Sequence, residues 1–149
     1  MQTDILSRAK SDLNPSKSND RTIVLVVDDS QDTLTMLTDV LTFENLEVLT
    51  AKDGPRAIQL ANEARPDVIL MDAIMPGMDG FETTEQMRAF ERENNLSPTP
   101  IIALTAHALV TGKQRGLDAG CNAYLTKPVN FDRLVNKIHQ LIGVKTIEN

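Results

Sequence analysis

Asp28, Asp29, Asp72, Thr105 and Lys127 each close or follow a short apolar run. Brought together, three carboxylates would repel one another and could not all stay ionised and unpaired at neutral pH. A hard divalent cation resolves that conflict. Oxygen-only ligands with open positions suit Mg2+, which keeps waters and bridges readily to phosphate. With two histidines and one cysteine in the chain, no His or Cys cluster competes for zinc. A carboxylate can also attack phosphorus and form an acyl phosphate. The metal, the Lys127 ammonium and the Thr105 hydroxyl would then stabilise charge on the transferring oxygens. Taken singly, each residue has a plainer role: an acid at a helix N-terminus for Asp28 or Asp29, a loop acid, a strand threonine, a solvated lysine. Their common position is what argues for a site.

That position follows from the elements that carry them. The apolar runs TIVLVV (22–27), LEVLT (46–50), VILM (68–71), PIIALT (100–105) and NAYLT (122–126) have the length and Val/Ile/Leu content of strands covered on both faces. Segments of helical period lie between them. Ser30 can cap a helix from Gln31 to about Phe43, with Leu34, Leu37 and Leu41 on one stripe. Pro55 suits the first turn of a helix to about Ala64, which Arg65-Pro66 stops. Asp79-Gly80 precedes a third helix with Phe81, Met87 and Phe90. A fourth is predicted from about Ala108 to Ala119, ending at Gly120. A fifth runs from Phe131 to Ile142, with Asn130 or Val129 before it and Gly143 after. Strict alternation implies a parallel sheet with helices on both faces, joined by right-handed crossovers. Ligands of such folds sit outside the carboxyl ends of the strands, where strand order reverses. The five chemically capable residues all fall at strand ends, on that one edge.

Composition sets the frame. The 149 residues, 41% apolar and 24% charged, suit one globular domain with its own core. The expected division is a flexible polar tail over 1–20, a domain over 21–143 and a short tail over 144–149. A net charge of −6 argues against a nucleic-acid surface and disfavours an anionic membrane. Cys121 cannot form an internal disulfide, which is compatible with a reducing compartment. No run approaches the roughly 20 apolar residues of a membrane span, and the N-terminus lacks the apolar centre of a signal peptide. Cytoplasm is the expected location.

The motifs VVDDS (26–30), LMDAIMPGMDG (70–80), ALTA (103–106) and YLTKP (124–128) resemble the receiver domain of two-component response regulators, over about residues 22–142. The combination is specific; the acid pair alone is weak. The resemblance implies a flavodoxin-like doubly wound (βα)5 fold with strand order 2-1-3-4-5. It implies phosphorylation of Asp72, with Mg2+ on Asp29, Asp72 and the backbone carbonyl of Ile74, and Asp28 assisting. It assigns phosphoryl contacts to Thr105 and Lys127, and a cis peptide to Lys127-Pro128. Tyr124 matches the aromatic position that turns inward when Thr105 moves towards the phosphoryl group. Ile74 and His107 match positions that flank the path of the hydrolytic water. Ile74 cannot hydrogen-bond that water, whereas His107 has the groups to do so, its plainer role being a helix-start residue.

The expected function is therefore a response regulator, phosphorylated by a sensor histidine kinase or histidine phosphotransfer protein. It catalyses only its own phosphorylation and dephosphorylation. The ALTAHA and AGCNAYLTKPV segments look most like receivers of hybrid kinases, so a relay role is a second possibility. With about seven residues beyond the last helix, output is expected by contact with an unidentified protein target, by a monomer or a phosphorylation-dependent homodimer. A Mg2+-dependent aspartyl phosphatase is the alternative from another class. Its D-x-D signature is absent, and little chain remains for a substrate cap. No glycine-rich nucleotide motif is present.

Overall fold

A computed structural model describes residues 21–106 and 110–143. The strands are β1 (Ile23–Val27), β2 (Glu47–Ala51), β3 (Val68–Asp72), β4 (Ile101–Thr105) and β5 (Ala123–Thr126). The helices are α1 (Gln31–Phe43), α2 (Gly54–Ala64), α3 (Gly80–Glu93), α4 (Val110–Ala119) and α5 (Phe131–Ile142). The strands form one parallel sheet in the order β2-β1-β3-β4-β5. The element order is the one the sequence pattern predicts, and the strand order is the one the family resemblance implies. The expected tails at 1–20 and 144–149, the start of α4 near Ala108, and His107 lie outside the described residues.

The period of two along the strands divides the core between two faces. Leu25, Val27, Ile69, Met71, Ile101 and Ala103 pack on the side of α2, α3 and α4. Val24, Val26, Val68, Leu70, Ile102 and Leu104 meet Leu34, Leu37 and Leu41 of α1 and Leu134 and Ile138 of α5. Both faces are thus covered, which is why β1, β3 and β4 read as unbroken apolar runs rather than as alternating ones.

Local chemistry fixes where the helices begin. Ser30, Asp53, Asp79 and Asn130 each accept a hydrogen bond from a backbone N–H in the first turn. At Asp79 a reciprocal bond from Glu82 completes a capping box. Each cap stands shortly after a strand, so the chain turns from sheet to helix within a few residues. The connection from β3 to α3 is longer, but it folds back so that the start of α3 lies against the end of β3. Gly80 N–H donates to the Ala73 carbonyl at 3.0 Å, and a Cβ on Gly80 would collide with the Asp72 carbonyl oxygen. The glycine thus lets α3 start directly against the end of β3.

Candidate functional site

β1 and β3 are neighbours at the centre of the sheet, and each ends in acid. Asp28, just past β1, is held by its N–H to the Ala51 carbonyl at 3.0 Å and accepts Ser30 N–H on Oδ1 at 2.9 Å. Asp72 closes β3, and its Oδ1 accepts the Ile74 N–H at 3.3 Å. Asp29 follows Asp28 and is exposed. One carboxylate oxygen from each of Asp28, Asp29 and Asp72 lies within 4.8 Å of the other two. Two of these acids are almost fully out of water: Asp28 is 1% exposed and Asp72 4%.

Lys127, just past β5, reaches across the edge of the sheet to both. Its Nζ donates to Asp28 Oδ2 and to Asp72 Oδ1, each at 3.2 Å. Its own N–H donates to the Thr105 carbonyl at 2.7 Å, so the ends of β4 and β5 are joined where the site forms. The Lys127-Pro128 peptide is cis, as expected. Thr105 is buried at the end of β4. In the β4–β5 register Ala103 pairs with Tyr124 and Thr105 with Thr126, so Thr105 and Tyr124 share a face two residues apart. Tyr124 packs, half-buried, against the core on that face.

The electrostatics are those of a crowded anion site. Burial first, and the Asp28 carboxylate second, push the Asp72 carboxyl above its ordinary value; Lys127 and the Ile74 amide draw it only part of the way back. For Lys127 burial works towards a lower pKa, but Asp72 and Asp28 together outweigh it and hold the ammonium above its ordinary value. One lysine does not neutralise three acids. The remaining negative charge, an all-oxygen donor set and an exposed third carboxylate fit a hard divalent cation.

Six of the eight residues singled out in the sequence converge: Asp28, Asp29, Asp72, Thr105, Lys127 and Ile74. Ile74 stands 63% exposed two residues past Asp72, at the solvent side of the site. Tyr124 lies deeper along β5, and His107 falls outside the described residues. Two contributors were not read from the sequence. Ser30, seen only as a helix cap, also fixes the Asp28 carboxylate through its N–H. Gly80, seen only as preceding a helix, sets how closely α3 meets Asp72. The D-x-S spacing and the glycine after a capping aspartate were the available signals.

Comparison with known proteins agrees with this geometry. Residues 24–139 match the response regulator receiver domain. The chain is 37% identical over 135 residues to the sensor protein GacS of Pseudomonas syringae pv. syringae, covering 91% of this chain but 15% of that protein. It is 36% identical to protein PilH of Pseudomonas aeruginosa, covering 80% of this chain and 97% of PilH. Among solved structures, it resembles the receiver domain of Saccharomyces cerevisiae Ssk1, co-crystallised with the histidine phosphotransfer protein Ypd1. The TM-score is 0.80 and the identity 32%, over 87% of this chain and 94% of that one. It also resembles the receiver domain of a Pseudomonas aeruginosa sensor histidine kinase that has a magnesium ion in its active-site cleft. There the TM-score is 0.73 and the identity 33%, over 83% of this chain and 98% of that one. With the fold, the acid cluster and the lysine bridge in place, the chain belongs to the response regulator receiver domain family.

Proposed function

We propose that this domain is a phosphoacceptor switch in which Asp72 takes a phosphoryl group from a phosphohistidine of a sensor kinase or phosphotransfer protein. The observation that carries this reading is the bridge from Lys127 to both Asp28 and Asp72 inside a cluster of three carboxylates. Among the described residues, Oδ1 of Asp72 holds both of that carboxylate's hydrogen bonds, which leaves Oδ2 to attack phosphorus. The new O–P bond forms as the P–N bond of the donor breaks, and the electron pair leaves on the imidazole. The carboxylates of Asp28, Asp29 and Asp72, with the Ile74 carbonyl, would hold Mg2+, which supplies positive charge against the phosphoryl oxygens. Lys127 then turns from Asp72 Oδ1 to a phosphoryl oxygen without leaving Asp28. The Thr105 hydroxyl binds a second phosphoryl oxygen, and its movement makes room for Tyr124 to turn inward, a two-state element biased by phosphorylation. The donor class is supported by the Ypd1–Ssk1 pairing and by the match to kinase receivers. The domain acts on its own aspartate and turns over no separate substrate.

Incubation with a small phosphodonor in excess Mg2+ tests the reading. The wild type should acquire a hydroxylamine-labile phosphate, and Asp72→Asn should acquire none. Undiminished labile phosphate in the Asn variant would refute Asp72 as acceptor.

A further inference from the structure

On the edge of the sheet opposite the acid site, one guanidinium ties four segments together. Arg88, on α3, donates from Nε and Nη2 to the Gly120 carbonyl at 3.0 and 2.9 Å. Nη2 also donates to Asn122 Oδ1 at 2.9 Å, and Nη1 to Glu91 Oε1 at 2.8 Å. Glu91 passes the link on: its Oε2 accepts the N–H of Thr99, in the segment leading into β4, at 2.9 Å. Asn122 does the same for β4 itself, its Oδ1 accepting the Ile101 N–H at 2.9 Å. The ion pair lies within the protein, with side chains 12% and 7% exposed. Gly120 closes α4 and has φ +112; a Cβ there would come within 2.8 Å of Arg88 Cγ. The guanidinium therefore sits where the last carbonyls of α4 concentrate negative charge.

Farther along the same helix pair, Arg115 of α4 bonds Glu85 of α3 at 2.9 Å and lies 5.1 Å over the Phe81 ring, and Gly116 leaves room for that ring. The other end of α3 is fixed as well, since Gly80 abuts the Asp72 carbonyl. Thus α3 is a strut between the acceptor strand and the carboxyl end of α4.

Resting on the phosphoacceptor reading above, we infer that Arg88, with Glu91, is the pivot of the switch: a positioning residue that holds the carboxyl end of α4 while the other end moves. The connection is short. Thr105 ends β4, and α4 begins five residues later. Displacement of Thr105 towards a phosphoryl group on Asp72 is thereby passed to the amino end of α4. α4 is about 15 Å long. With its far end held on Arg88, it turns about Gly120. Without that hold it would translate or loosen, and the movement would be dissipated before it reached a partner.

Tyr124 is the one tyrosine and there is no tryptophan, so tyrosine fluorescence reports this switch directly. The experiment compares wild type with the matched variant Arg88→Gln/Glu91→Gln, each with Mg2+ and beryllofluoride as acyl-phosphate mimic. Amide hydrogen exchange along α4 is read beside the fluorescence. In the wild type the mimic should alter exchange in the amino half of α4 and leave Ala119–Asn122 unchanged. In the variant, phosphorylation rate from a small donor should stay within about twofold, while the Tyr124 response falls at least threefold and the exchange change spreads to Ala119–Asn122. Arg88→Lys, a point charge without the planar fork, should restore part of the response. Should the double variant fail to fold, Asn122→Ala removes one arm of the clamp and should move both readouts in the same direction. An unchanged Tyr124 response and an unchanged exchange pattern in a folded variant overturn the pivot alone. A wild type that answers beryllofluoride with neither signal overturns the acceptor reading and the pivot with it.

Discussion

Removing the charge of Asp72 should stabilise the metal-free domain, although it removes an ion pair. Asp72 and Asp28 are both buried, with carboxylate oxygens within 4.8 Å of each other. At an effective dielectric near 20 that repulsion is at least about 3.5 kcal/mol, and the attraction of Lys127 at 3.2 Å about 5 kcal/mol. Lys127 is partly exposed and shared with Asp28, so its pull on Asp72 is screened below that figure. Burial of the carboxylate costs several kcal/mol more. Burial and Asp28 outweigh Lys127, which is why the Asp72 pKa is raised. A carboxyl raised in the folded state binds its proton more tightly there than in the unfolded chain. Its contribution to stability is therefore complete below the ordinary value of 3.8 and is lost as pH rises through the folded-state value. Asp72→Asn, neutral at every pH, should gain about 1–2 kcal/mol at pH 7.5 in chelator, roughly 3–8 °C in Tm for a domain of this size. The two proteins should converge towards pH 4. Mg2+ should reverse the order by linkage, since a ligand at about 100 times Kd adds about 2.7 kcal/mol to a protein that binds it and the Asn variant lacks one ligand. Urea titrations at several pH values, with EDTA or with 10 mM Mg2+ (roughly saturating for a weak site), measure this. A metal-free Asn variant less stable than wild type at pH 7.5, or equal Mg2+ stabilisation of both, would refute the reasoning.

Other outcomes follow from the same geometry. Asp29→Ala, which removes the exposed carboxylate, should weaken Mg2+ affinity at least tenfold by fluorescence or calorimetric titration while leaving the metal-free fold nearly as stable; unchanged affinity would place the ion elsewhere. Gly80→Ala should destabilise by about 2–3 kcal/mol in chemical unfolding, because the new Cβ meets the rigid Asp72 carbonyl rather than a side chain that can yield. Ile74→Asn should shorten the lifetime of the Asp72 phosphate several-fold in a radiolabel decay assay, since Ile74 is exposed at the solvent side and its apolar chain offers the attacking water no hydrogen bond; decay at the parent rate would show that water access is set by other groups.

Much of this site could be read from sequence because of how the fold generates it. In a doubly wound sheet, strand ends share an edge by topology, so placing Asp28, Asp72, Thr105 and Lys127 after apolar runs sufficed to bring them together. Distances along the chain as long as that from Asp28 to Lys127 did not matter. What the sequence withheld is whatever depends on packing between elements rather than on position along one. Gly80 is a glycine because a backbone oxygen passes close by, and nothing in DGFE announces that neighbour. Arg88 and Glu91 carry no motif and draw no functional reading from the sequence. Their spacing of three suggests an exposed pair worth little to stability. The fold instead folds the segments around Thr99 and Gly120 over them, and a surface pair becomes an interior clamp. Periodicity cannot anticipate that, because it sorts residues by polarity, and a buried ion pair is polar in type and interior in place. The acid site and the clamp are thus legible to different degrees for one reason. The first is fixed by connectivity. The second is fixed by α3 lying against α4, a contact encoded in Gly116 and Gly120 by the absence of side chains rather than by their presence.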